Sequence, residues 1–296
     1  ALSEHFFDNA HFTTYASSME HVADRNTVVL IFVDFAVRRM AINFHLTSLR
    51  RHGISNYLFV TSSEDLCDEF WMRSIACYVY SEENSKNAKK LTAYGTKDFI
   101  QKMNVRTYMI LNALKLGYNI LHTDADMYYY ANPLKRIEEL CGDGCSLAVL
   151  VDYKVLNAGF VYLRNTSDSI EVYEIMKNIA QKTSKDDQVA LNEAVAKIPT
   201  LRYVKLPISE FKCGKHFYDL EKRDFVSDNP CRSCQVIHNN FIVGMEAKEY
   251  RFKEMHQWEF NEDGYYTTRG IKFITYANRQ NQSWFLQKKS LRNALA

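Results

Sequence analysis

A chain of 296 residues, 47% hydrophobic and 24% charged, has the make-up of a folded globular protein, and its 10 Gly and 4 Pro leave little room for a disordered linker. A net charge of +2, with Lys and Arg spread along the chain, excludes the clustered basic face of a nucleic-acid binder. No apolar run reaches the roughly 18 residues of a membrane span; the longest, 28–33, has the length of a strand.

That run, VVLIFV, is short, continuous and rich in β-branched residues, which predicts a buried strand. A helix over 37–52 follows, stopped by Gly53. Residues 57–60 predict a second strand, Ser62-Ser63-Glu64 the start of another helix, and 77–80 a third strand. This alternation predicts βαβ units and a largely parallel sheet with flanking helices.

The next helix, 97–116, closes at Gly117 and carries an apolar stripe of Phe99, Met103, Ile110 and Leu114. Arg106 is in phase with that stripe, and an inward charge is costly unless paired. It is either a snorkelling or salt-bridged arginine, or one aimed at an anionic ligand. A strand over 118–122 then delivers Asp124-Ala125-Asp126 to its carboxyl end, the edge where open α/β sheets bind ligands. Asn132, before Pro133, predicts the cap of the following helix. Strands at 147–151 and 160–163, a helix over 167–181, a helix after Asp186-Asp187-Gln188 and a short strand at 236–238 complete the order. No internal repeat or linker interrupts it, so one domain over 1–296 is expected.

There are seven cysteines, an odd count. Cys231-x-x-Cys234 reads as half a zinc site, a redox pair or a disulfide, and no second pair completes a zinc site. N-x-S/T sequons stand at Asn165 and Asn281, which with the cysteines favours a secretory-pathway lumen. The chain starts at Ala1 with no signal-peptide pattern, as expected of a processed or truncated piece with an N-terminal membrane anchor outside it.

A bare D-x-D is common, but two carboxylates at a strand end with a turn behind them can converge on one point. Hard divalent cations such as Mg²⁺ or Mn²⁺ take such oxygens and keep positions open for phosphate. A haloacid-dehalogenase phosphatase places its D-x-D near the first strand, a retaining glycosidase draws its carboxylates from separate strands, and a nucleotidyltransferase would bring a Gly-rich phosphate loop. None of these patterns is met.

Asp124-Ala125-Asp126, Asn157-Ala158-Gly159, Asp187-Gln188, and a late His238 with Gly244 and Lys248 occur in that order. The set, with GYNILHTDADMYYYANPL and NAGFVYLRNT, resembles retaining glycosyltransferases of the GT-A fold, in particular the nucleotide-diphospho-sugar transferase family with its plant cell-wall xylosyl- and arabinosyltransferases. The resemblance implies a Rossmann-like mixed, mainly parallel sheet. A nucleotide-binding half would span about 27–130 and a sugar and acceptor half about 131–296. It implies Asp124, Asp126 and His238 as metal ligands, with a His suiting Mn²⁺ better than Mg²⁺. Val33 and Asp34 would meet the uridine. Gly244, Lys248 and Arg106 would face the diphosphate, Gly244 by close approach and the other two by charge. Asn157, Ala158 and Gly159 would line the sugar pocket, the small residues leaving room for the ring; the alternative is a β-turn.

Asp187 would bind sugar hydroxyls and Gln188 lie near the reacting carbon, while Ser184 or Asp186 caps their helix. The implied activity is metal-dependent, retaining transfer from a UDP-sugar to a carbohydrate or glycoprotein acceptor in the Golgi lumen, as part of a type II membrane protein. An inactive binding or scaffold protein of the same fold is the contrasting reading. Trp258, Tyr265, Tyr266 and Trp284 would be sugar-stacking surfaces or core.

Overall fold

The computed structural model describes residues 12, 14–80, 97–183, 185–218 and 233–261, with side chains in the helix that begins at residue 97 described from residue 104 onward. Cys231, Asn281, Tyr265, Tyr266, Trp284 and the side chains of Phe99 and Met103 therefore lie outside the description.

The continuous apolar run forms β1 (Thr27–Phe32), an interior strand of a seven-stranded sheet. β2 (Tyr57–Thr61) and β4 (Asn119–Thr123) flank it in parallel, pairing Val29 with Tyr57 and Val28 with Ile120. A strand covered on both faces must be apolar on both. Val28, Val29, Leu30 and Ile31 are each 0% exposed, and burying each such side chain contributes roughly 1.5–3 kcal/mol. β3 (Cys77–Val79) extends the sheet beyond β2.

On the other side lie β7 (Val155–Leu163), β6 (Leu147–Asp152) and β8 (Tyr203–Lys205), giving the order β3-β2-β1-β4-β7-β6-β8. β7 runs antiparallel to both neighbours and the other pairings are parallel. The expected mixed, mainly parallel α/β sheet is present.

Helices cover this sheet, and three of their starts fall on side chains that the sequence marks as helix starts, Ser63, Asn132 and Asp186. Ser63 accepts from Leu66 N–H at 3.3 Å to open α3 (Glu64–Met72). Asn132 caps α5 (Pro133–Cys141) and Thr166 caps α6 (Ser167–Lys182). Asp186, one of the two expected candidates, caps α7 (Asp187–Ala196) by accepting from Val189 N–H at 2.8 Å. α1 (Tyr15–Val22), α2 (Arg38–Phe44, running on into a wider turn His45–Arg50) and α4 (Lys97–Lys115) complete this set.

β7 begins at Val155, five residues earlier than the apolar run at 160–163 predicts. Asn157-Ala158-Gly159 therefore lies within a strand and not in a turn. A second sheet was not expected at all: β5 (Met127–Tyr129), β9 (Phe211–Lys212) and β10 (Val236–His238), in the order β5-β10-β9. β10 is antiparallel to β5, which sets His238 opposite Met127.

Disulfides join Cys67 to Cys77 and Cys141 to Cys145. Cys234 is disulfide-bonded. Cys213 is buried with a free thiol. The Asn165 amide donates to the Leu114 carbonyl, so this sequon side chain is engaged in the fold. Trp258 is buried with its N–H on the Phe260 carbonyl and belongs to the core. No helix among the described residues is long and apolar enough to cross a membrane.

The core also carries a pH dependence. His45 is buried, its Nε2 3.0 Å from the Tyr57 hydroxyl. Burial, helped by the Arg50 charge, lowers its pKa from 6.5 to about 3. The unfolded chain takes up that proton first, so the contribution of His45 to stability is full above pH 6.5 and is lost as pH falls towards about 3. The melting temperature should drop by roughly 5 °C or more between pH 7 and 4.5, with a shallower slope in His45→Gln. Identical slopes in the two proteins would contradict this.

Candidate metal and donor site

The site is built where the two sheets meet. β4 ends at Thr123, the chain turns through Asp124 and Asp126, and β5 departs into the small sheet. The turn is fixed by backbone bonds, Asp124 N–H to the Gly159 carbonyl at 2.8 Å and Asn239 N–H to the Asp126 carbonyl at 2.9 Å. Next to Asn239, His238 ends β10 and completes a group of three. Asp124, Asp126 and His238 each offer one ligand atom, all within 4.8 Å of one another. His238 Nε2 stands 3.3 Å from Asp126 Oδ1 and 3.8 Å from Asp124 Oδ2. Two carboxylates and one imidazole suit Mn²⁺, with Mg²⁺ also compatible. The residues expected as ligands from the sequence are thus brought together.

Cations surround the acids. Lys248 Nζ lies 2.6 Å from Asp126 Oδ2. Burial alone would raise the Asp126 pKa, but Lys248 and His238 outweigh it and hold that carboxyl well below the ordinary range. Burial works in the other direction on His238, where Asp126 and Asp124 prevail and raise its proton affinity above the ordinary value. A divalent cation held by His238 would take the place of that proton.

Gly244 precedes α8 (Met245–Glu254) with φ +97°, a conformation suited to glycine, and no atom lies within 4 Å of where a Cβ would stand. Its observed part is conformational. It starts the helix whose first turn brings Lys248, N–H bonded to the Gly244 carbonyl at 3.1 Å, over Asp126.

Arg106 proves to be salt-bridged. It is 7% exposed and donates to Asp124 Oδ1 at 2.7 Å and to Asp187. One guanidinium fork thus locks a metal-ligand candidate to the first residue of α7. Arg106→Met should lower stability by about 3–5 kcal/mol, because it strands the buried Asp187 carboxylate. A chemical-denaturation midpoint unchanged from wild type would contradict the pairing.

Asn157 does not present a free amide to a sugar. Its Oδ1 accepts from Gly159 N–H at 2.8 Å and its Nδ2 donates to Asp152. The space that Gly159 keeps open holds two of the candidate metal ligands: a Cβ there would lie 2.2 Å from Asp124 Oδ2 and 3.0 Å from His238 Cε1. Ala158 N–H approaches Gln188 Oε1 at 3.4 Å, joining the strand to α7 beside Asp187. Val33 and Asp34 follow the carboxyl end of β1, at the same sheet edge as Asp124, with Val33 N–H on the Val60 carbonyl at 3.0 Å.

Two residues of this network were missed in the sequence. Asp152 accepts from Asn157 and also from Asn240 Nδ2 at 3.0 and 3.1 Å. The only local signals were an acid at a strand end and an Asn-Asn pair directly after His238.

Residues 52–252 match the family model of nucleotide-diphospho-sugar transferases. The chain belongs to that family. Its relatives include beta-arabinofuranosyltransferase RAY1 of Arabidopsis thaliana, 26% identical over 81% of this chain and 49% of that protein. UDP-D-xylose:L-fucose alpha-1,3-D-xylosyltransferase 3 of the same plant is 28% identical over 56% of this chain and 49% of its own length. UDP-galactose:fucoside alpha-3-galactosyltransferase of Dictyostelium discoideum is 26% identical over 60% of this chain and 31% of its own. The family member thus spans about half or less of these curated relatives. A solved structure of an active-site variant of LgtC covers 77% of this chain and 94% of its own at 14% identity, with a TM-score of 0.48.

Proposed function

We propose that this chain is the catalytic domain of a metal-dependent, retaining glycosyltransferase that moves a sugar from a UDP-sugar to a glycan or glycoprotein acceptor. The observation that carries the proposal is the Asp124, Asp126 and His238 group, within 4.8 Å, in a chain of the nucleotide-diphospho-sugar transferase family. We assign the donor nucleotide to the 27–130 half, where Val33 and Asp34 would receive the uridine, and the sugar and acceptor to the 131–296 half. The donor sugar is galactose, xylose, glucose or arabinose. Relatives named for arabinosyl, xylosyl and galactosyl transfer, two of them to fucose or fucosides, support that set.

The hard step is departure of a nucleoside diphosphate from the anomeric carbon. A divalent cation held by Asp124, Asp126 and His238 would act as a Lewis acid that offsets charge on the diphosphate. Lys248, a half-buried cation beside Asp126, adds fixed positive charge there and needs little solvent reorganisation when the bond breaks. Asp187 is a poor covalent nucleophile in this setting, because Arg106 engages its carboxylate. Gln188 is neutral, and its Oε1 points to Ala158 N–H, leaving its N–H₂ to orient a sugar hydroxyl. These features favour attack from the leaving-group face, with the departing phosphate accepting the acceptor's proton.

We place the enzyme in the Golgi lumen, as part of a type II membrane protein. The disulfides Cys67–Cys77 and Cys141–Cys145 support an oxidising compartment. The test is UDP release from a panel of UDP-sugars with Mn²⁺ and with chelator. Release of UDP from at least one donor, dependent on the cation, is expected. Absence of release from every donor would favour a binding or scaffold role.

A further inference from the structure

Beyond the buried centre, the sheet edge carries exposed aromatics on strained backbone. Tyr153 joins β6 to β7, and Phe241 follows β10 by three residues. Both have φ of 57°, a left-handed conformation that bulky side chains rarely adopt. Both are also largely open to solvent, at 49% and 53% exposure. An exposed aromatic recovers little of its strain by burial, so the fold must impose these conformations from elsewhere.

It does so through the network around the metal site. Asn240, directly before Phe241, donates to Asp152, directly before Tyr153, at 3.0 and 3.1 Å. Gly214 N–H donates to Asn240 Oδ1 at 2.6 Å, and Arg251 donates to the Asn240 carbonyl at 3.0 Å. Asp152 in turn holds Asn157, whose Oδ1 accepts from Gly159 N–H, and Gly159 packs on Asp124 and His238. One chain of contacts therefore couples the strained aromatics to the metal-ligand group. The rings form a platform. Tyr153 stacks on His216 with centroids 5.0 Å apart, Lys215 Nζ lies 4.4 Å from the Tyr153 ring, and Phe241 meets that ring edge-on at 6.3 Å.

We propose that Phe241, supported by Tyr153 and His216, is the stacking surface for a pyranose ring of the acceptor saccharide. The proposal rests on the transferase reading and adds the acceptor's place to it. A sugar ring has an apolar C–H face and a polar rim. The Phe241 ring takes the first, and the Tyr153 hydroxyl and Lys215 ammonium are polar groups for the second. The two backbone positions hold these side chains at the edge of the centre where the donor sugar would react, which explains why large aromatics stand where glycine or asparagine would be more stable.

Phe241→Gly and Tyr153→Asn test this, since both replacements suit φ of 57°. Ligand-observed NMR would follow methyl β-D-galactoside, methyl α-L-fucoside and methyl β-D-xyloside on the 296-residue chain with Mn²⁺ and UDP. We expect at least one glycoside to bind wild type and to bind Phe241→Gly about ten-fold more weakly, while the melting temperature holds or rises. Tyr108→Ala, an exposed aromatic on α4 outside the platform, should bind as wild type does. No binding to wild type, or binding to both platform variants as strong as to wild type, overturns the proposal. So does a wild-type dimer that Phe241→Gly converts to monomer in sedimentation, since the face would then be a self-association surface. Glycoside binding without UDP release from any donor would sink the transferase reading and leave the platform standing; the reverse would sink the platform alone.

Discussion

Asp126→Asn is expected to abolish sugar transfer, with turnover falling by about 10³-fold or more, while the chain remains folded. The amide keeps the volume of the carboxylate and removes the charge that both His238 and Lys248 face, at 3.3 and 2.6 Å. A cation site then has one anionic ligand in place of two, and Lys248 loses its counter-charge. Losing a direct ligand costs more than the ~10–100-fold in metal affinity that disturbing a supporting residue costs. Far-ultraviolet circular dichroism should match wild type, because the backbone bond from Asn239 N–H to the residue 126 carbonyl does not involve the side chain. Turnover near the wild-type value would remove Asp126 from the metal site.

Gly159→Ala should be nearly as damaging, by about 10²-fold in turnover, although it adds only one methyl group. The new Cβ would fall 2.2 Å from Asp124 Oδ2, far inside contact distance. The strand cannot easily retreat: β7 is paired on both sides, with Phe160 opposite Thr123 of β4. Asp124 must move instead, and Arg106 couples that movement to Asp187. Raised Mn²⁺ requirement and lowered turnover should therefore appear together. If a metal titration of Gly159→Ala overlays wild type, the packing of Asp124 against this strand does not control the site.

Much of this was legible in the residues. The buried strand at β1 and the capped helix starts are local features, written in apolar runs and in Ser63, Asn132 and Asp186. Arg106 was visible as a charge on an inward helical face that needed a partner, but which partner was not. Asp187 lies far along the chain, and only the packing of α7 against β7 brings it near. The small sheet was hidden because β9 has two residues and β5 three, too few to show a period.

The start of β7 was misjudged for a related reason. Asn157 and Gly159 look like turn residues, yet the strand tolerates them because Asn157 satisfies its amide on Asp152 and Gly159 yields space to Asp124. The local rule fails where the site makes its own demands on the backbone.

The most direct test of the whole reading is calorimetric titration of UDP into the wild-type chain, once with Mn²⁺ and once with chelator. Binding of one UDP per chain with the cation, at least about ten-fold weaker without it, is the predicted result. Equal affinity in both titrations would contradict the assignment of Asp124, Asp126 and His238 as the metal site that grips the donor.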